Sequence, residues 1–130
     1  MVDFVGSKGG NLDLLIRQGA TLGPNVTQIK DRANVPIDIT GATIRSEIRK
    51  TPDAIAVDAT AICTITDAAN GTFTWSFTAA ETKLLDADPI DEQQPLSKYV
   101  WDMEIQYATG RIQPLMYGDV RVFREVTKEV

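Results

Sequence analysis

A chain of 130 residues with a net charge of −5 and 43% hydrophobic residues has room for one domain with its own core, and is neither a disordered, a collagen-like nor a membrane-spanning sequence. The negative balance argues against nucleic acid and anionic membranes as partners, because both are bound by neutralising phosphate with Lys and Arg. With no His and a single cysteine, Cys63, Ser-His-Asp and Cys-His catalysis, His metal ligation, an internal disulfide and a Cys-rich zinc site are all excluded.

Val, Ile and Thr number 10, 12 and 14 against 8 Leu, and β-branched side chains favour pleated strands over helices. Residues 1–10 are rich in Gly and polar residues and read as a flexible arm. Val2, Phe4 and Val5 are apolar there without an obvious local partner. Simple fraying and ordering on a partner are both open for this arm. The remaining residues, 11–130, read as one β-sandwich domain.

Asn11 to Arg17 is the first strand of that domain and Asn25 to Lys30 the second. Pro36 disfavours a central strand position for the short extended piece that follows. Ala42 to Arg49 alternates, with Ala42, Ile44, Ser46 and Ile48 on one face and Thr43, Arg45, Glu47 and Arg49 on the other. Ile55 to Ile65 reads as a strand with Val57, Ala59, Ala61, Cys63 and Ile65 on one face. Asn70-Gly71 is a hairpin turn signal. Gly71 to Thr78 then places Phe73, Trp75 and Phe77 on one face.

Thr78-Ala79-Ala80-Glu81 has a capping-box pattern, predicting a short helical turn over 79–85 that crosses between sheets. Asp86, Asp88, Asp91 and Glu92 lie in an acidic, proline-bounded loop. Its spacing fails the EF-hand pattern at positions five, six and twelve, so a solvated loop is expected rather than a metal site. Lys98 to Ala108 alternates again, with Tyr99, Trp101, Met103, Ile105 and Tyr107 inward. Arg111 to Tyr117 and Val120 to Val126 form one strand or two, broken by Gly118-Asp119. The pattern predicts an all-β, antiparallel sandwich of about seven strands with Trp75 and Trp101 at its centre.

Asp102 and Glu104 are the one carboxylate pair spaced for acid–base work, since retaining glycosidases hold two carboxyl groups ~5 Å apart. Alternating charges on a solvated sheet face produce the same spacing, and we expect no enzyme, no catalytic residue, no metal and no cofactor. Tyr117 and Phe123 are the aromatics least tied to the core. With Val2, Phe4 and Val5 they are the candidate interface residues, aromatics being enriched at interfaces. Residues 51–110 carry 10 acids and 2 bases, the rest 8 acids and 11 bases. Either this is chance, or an acidic middle meets the basic ends of a neighbouring copy.

Several segments resemble one family in order and spacing. They are Asp13-Leu14-Leu15-Ile16-Arg17-Gln18-Gly19-Ala20-Thr21, Pro36-Ile37-Asp38-Ile39-Thr40-Gly41-Ala42 with Arg45 and Arg49, Ala80-Glu81-Thr82, Tyr99-Val100-Trp101-Asp102-Met103-Glu104-Ile105, and Gly118-Asp119-Val120-Arg121-Val122. Over residues 11–127 the chain resembles the immunoglobulin-like N-terminal module of tailed-bacteriophage baseplate upper proteins and related tail-fibre adaptors. The resemblance implies a non-enzymatic virion subunit, assembled in the host cytoplasm, that docks to tail, baseplate, fibre or portal-proximal proteins in multiple copies or as a homo-oligomer. In that family a receptor-binding portion usually follows the module. Without one the expected role is a small adaptor, collar or baseplate subunit, with a capsid decoration protein or a carbohydrate- or receptor-binding module as the alternatives.

Overall fold

Period-two alternation puts one side of each strand on a shared core, and the computed structural model, which describes residues 2–5, 10–86 and 99–124, folds these strands into a two-sheet all-β sandwich. Ten strands are present among the described residues. They are β1 (Val2–Val5), β2 (Gly10–Asn11), β3 (Leu14–Arg17), β4 (Leu22–Lys30), β5 (Thr43–Arg49), β6 (Ala59–Thr60), β7 (Ile62–Asp67), β8 (Thr72–Phe77), β9 (Tyr99–Gln106) and β10 (Ile112–Phe123). One sheet runs β1-β4-β8-β7; the other runs β2-β10-β9-β5-β6, with β3 also on β10.

Residues 2–5 do not stand free as an arm. They form β1, which pairs parallel with β4 in the register Val2↔Thr27 to Val5↔Lys30, so candidate interface residues Val2, Phe4 and Val5 belong to a strand of the chain's own sheet. The expected first strand is split into β2 and β3, both parallel to β10. The gap has a chemical cause. Leu12 turns its carbonyl inward to accept the Trp101 indole N–H at 2.6 Å. Asp13 Oδ1 accepts from the Asp119 amide at 3.0 Å, standing in for the missing ladder partner.

The expected strand over Ile55 to Ile65 is two strands in different sheets. Ile55 is 98% exposed, β6 pairs with β5, and β7 pairs with β8. The chain changes sheets at Ala61, whose amide donates to Ser46 O at 3.0 Å. Ala59 is buried and Cys63 and Ile65 are half-buried on either side of the crossing, so the alternation carries through a change of sheet without a break.

Nor do Gly118 and Asp119 break the last strand: β10 runs through them. Gly118 serves a close approach, since a Cβ there would sit 2.2 Å from Leu12 O. The irregularity in β10 lies instead between Pro114 and Met116, where Leu115 and Met116 are both buried. Pro114 pairs with Glu104 on β9 only, because β2 and β3 begin their pairing further along β10. A residue without an N–H is tolerated where no second neighbour needs it.

The helix α1 spans Ala79–Lys83 and links β8 in one sheet to β9 in the other. Thr78 caps it, accepting from the Glu81 amide at 3.2 Å. Glu81 does not reach back to complete the box; its carboxylate accepts from the Thr60 amide at 3.2 Å and ties α1 to β6. Buried Thr82 anchors the helix to the β3–β4 turn, donating to Ala20 O at 2.8 Å and accepting from the Gly19 amide at 3.1 Å.

Trp75 of β8 and Trp101 of β9 meet at the centre, stacked with ring centroids 5.3 Å apart. The Trp75 indole N–H donates to buried Thr27 Oγ1 at 3.0 Å. Both indole donors are therefore satisfied, as buried tryptophans require. Phe73, Phe77, Ile29 and Ile39 close the core from one side and Met103, Ile105, Leu115 and Val120 from the other.

Candidate functional site

The outer face of the six-stranded sheet carries the polar positions of β5, β9 and β10, and pairing sets them in cross-strand rows. The central row is Asn11, Tyr117, Asp102, Glu47 and Thr60, one residue from each of β2, β10, β9, β5 and β6. One flanking row is Asp119, Val100 and Arg49; the other is Pro114, Glu104 and Arg45. These rows, Thr60 and Pro114 excepted, line a groove of about 580 Å³.

Two of the acids in the groove are paired. Arg45 Nη2 lies 2.6 Å from Glu104 Oε1, and Arg49 Nη2 lies 3.0 Å from Glu47 Oε1. Arg49 is held further by the Ala54 and Ile55 carbonyls at 2.7 and 3.0 Å, so the 51–55 turn fixes its guanidinium at the rim. Asp102 sits directly opposite Glu47 and two residues from Glu104. Partial burial, then the charges of Glu104 and Glu47, push its carboxyl above the usual carboxylate range, against the pull of Arg49 and Arg45. Like charges placed opposite each other in a sheet destabilise it. The fold therefore keeps a carboxylate where its own neighbours disfavour the charge.

Tyr117, read from the sequence as one of the aromatics least tied to the core, lies beside Asp102 and is 49% exposed. Phe123 departs from that expectation. It is 5% exposed, because β3 lies alongside and the Arg17 guanidinium sits over its ring at 5.8 Å from the centroid. Of the acidic loop, Asp86 is exposed and its amide donates to Tyr99 Oη at 2.8 Å; Asp88, Asp91 and Glu92 lie outside the described residues. No group of three or more acidic or Cys residues with metal-holding geometry occurs among the described residues.

A second hollow of about 510 Å³ opens beside Asp31, Arg32, Asp38, Tyr107, Arg111 and Gln113. Its charged groups are largely engaged. Asp31 accepts from the amides of Ala33 and Val35, and Asp38 accepts from the amide and hydroxyl of Thr40, which holds its carboxyl below the usual range. Arg111 lies over the Tyr107 ring, 5.7 Å from its centroid.

Sequence reasoning singled out Asp102, Glu104 and Tyr117 but missed that Arg45, Glu47, Arg49 and Asn11 join them. The outward faces of β5 and β9 were each legible. Their pairing, in the register Glu47↔Asp102, spans residues far apart in the chain and leaves no local signal. Neither models of known protein families nor curated proteins match this chain.

Proposed function

We propose that this protein is a structural subunit of a bacteriophage virion, a small tail, baseplate or collar adaptor that docks to neighbouring virion proteins through the outer face of its six-stranded sheet. The observation that carries the reading is the central row of the groove. Asp102 stands opposite Glu47 with half-exposed Tyr117 at its side. An ammonium or guanidinium from a partner protein would relieve the opposed charges and lie against the Tyr117 ring, a cation–π contact of about 0.5–2 kcal/mol. Charge pairs of this kind set partner choice and register more than raw affinity. The resemblance over residues 11–127 supports the setting by analogy, and the two-sheet sandwich is the fold it implies.

Quantitative mass spectrometry of purified phage particles tests the reading. A fixed ratio of several copies to the tail or portal proteins supports it, and absence from particles overturns it. Incorporation of Asp102→Asn and Tyr117→Ala chains then maps the docking face. An exposed Tyr beside Asn, Arg and carboxylate groups is also a surface on which a sugar stacks. Saturable glycan binding that is lost in Tyr117→Ala, together with absence from particles, would favour that second reading.

A further inference from the structure

Among the described residues the four-stranded sheet ends in β7, an edge strand paired with β8 on one side. The ladder of Ile62–Asp67 runs to β8, and among the described residues no hydrogen bond reaches its far side. The amide of Ala61 is already taken by Ser46, so the open stretch begins at Ile62. A row of unpaired amides and carbonyls is a template for another strand, and proteins usually blunt it with Lys, Pro or an inward charge. Ile62-Cys63-Thr64-Ile65-Thr66 has none of these, and its one charge, Asp67, stands at the end. Ile62 is 54% exposed. The outward positions of the next strand, Thr72, Thr74 and Ser76, are also uncharged.

We propose that β7 pairs antiparallel with β7 of a second copy of this chain, joining the two four-stranded sheets into one continuous sheet across the pair. The backbone dictates an extended partner, and charge selects both the partner and its direction. A molecule of net charge −5 meets its copy at least cost along an uncharged edge. Antiparallel pairing sends the two Asp67 carboxylates to opposite ends, whereas parallel pairing would set them side by side. Centred on Thr64, the pairing faces Ile62 with Thr66 of the second copy and Cys63 with Ile65. Ile62–Thr66 is a pair of two β-branched side chains and Cys63–Ile65 a pair of two apolar ones, cross-strand neighbours that pack on a pleated surface. The inference is independent of the virion reading, because the pair forms in solution with no other virion protein present.

Sedimentation velocity on a dilution series of the full chain is the test. The expected result is a concentration-dependent dimer. Thr64→Lys, which sets two ammonium groups across the two-fold axis, weakens it by about fivefold or more. As a second arm, Thr64→Cys in a Cys63→Ala background cross-links on oxidation, since opposed residues of antiparallel strands have α-carbons about 4.5–5.5 Å apart, within disulfide reach. A chain that stays monomeric at every concentration overturns the proposal. So does a dimer that Thr64→Lys leaves unchanged, and so does a Thr64→Cys chain that fails to cross-link.

Discussion

At the scale of single residues, Gly118 and Asp102 show opposite uses of a strand position. Gly118 is small so that Leu12 O can reach the Trp101 indole, and a Cβ there would meet that oxygen at 2.2 Å. Gly118→Ala is therefore expected to cost about 1–3 kcal/mol or more, as overpacking does, measured by denaturant unfolding. Asp102 is held against its own preference. Its folded pKa is raised above 3.8, so the folded state binds the proton more tightly than the unfolded one. Its contribution to stability then falls as pH rises from 3.8 through the folded value. Asp102→Asn is expected to raise Tm at neutral pH, with the gain vanishing below pH 3.8, where both states carry the proton. Burial likewise pushes the Cys63 thiol from 9.0 up to about 11. Its alkylation in the folded protein should run about a hundredfold slower than in the unfolded chain at neutral pH, because the thiolate is the nucleophile.

Among the elements, β5, β8 and β9 were legible because each has one face wholly in the core: Ile44, Ser46 and Ile48; Phe73, Trp75 and Phe77; Tyr99, Trp101, Met103 and Ile105. The elements misread are those whose pattern is shaped by something distant. β10 slips its alternation at Leu115, where the partner strand changes register. The β6–β7 crossing keeps its alternation while changing sheets. The helix α1 is shorter than its sequence suggests, and it is placed by Thr82 on the Gly19-Ala20 turn as much as by its cap. Thr82→Val keeps the volume but leaves the Gly19 amide and Ala20 carbonyl of that part-exposed turn without their partner, and should cost about 0.5–1.5 kcal/mol in thermal or denaturant unfolding.

At the scale of the molecule, the two sheets are pinned together by the Trp75–Trp101 stack. Replacing Trp75 with Ala removes both the stack with Trp101 and the donor to Thr27, and an expected loss of about 3–5 kcal/mol can be read from the denaturation midpoint. The outer face of the six-stranded sheet is energetically quieter. The Arg45–Glu104 pair is exposed enough, at 59% and 35%, to be worth only about 0–1 kcal/mol. Glu104→Ala should leave Tm nearly unchanged. Core residues announce themselves by alternation within one segment, but the groove is a property of four strands at once, β2, β5, β9 and β10. Asp102 gains its meaning only when Glu47 and Tyr117 are brought to its two sides, which no window of sequence contains.

The parallel pairing of β2 and β3 with β10 also carries a consequence for synthesis. Asp13 and Asp119, hydrogen-bonded in the finished domain, are 106 residues apart in the chain. A nascent chain that has left the ribosome only as far as β9 offers Leu12, Asp13 and Ile16 nothing to pair with. The Trp101 indole is then still without the carbonyl that satisfies it. Closure of the sandwich must wait for its last strand, so this domain folds late and as a unit, as proteins rich in long-range strand pairing do.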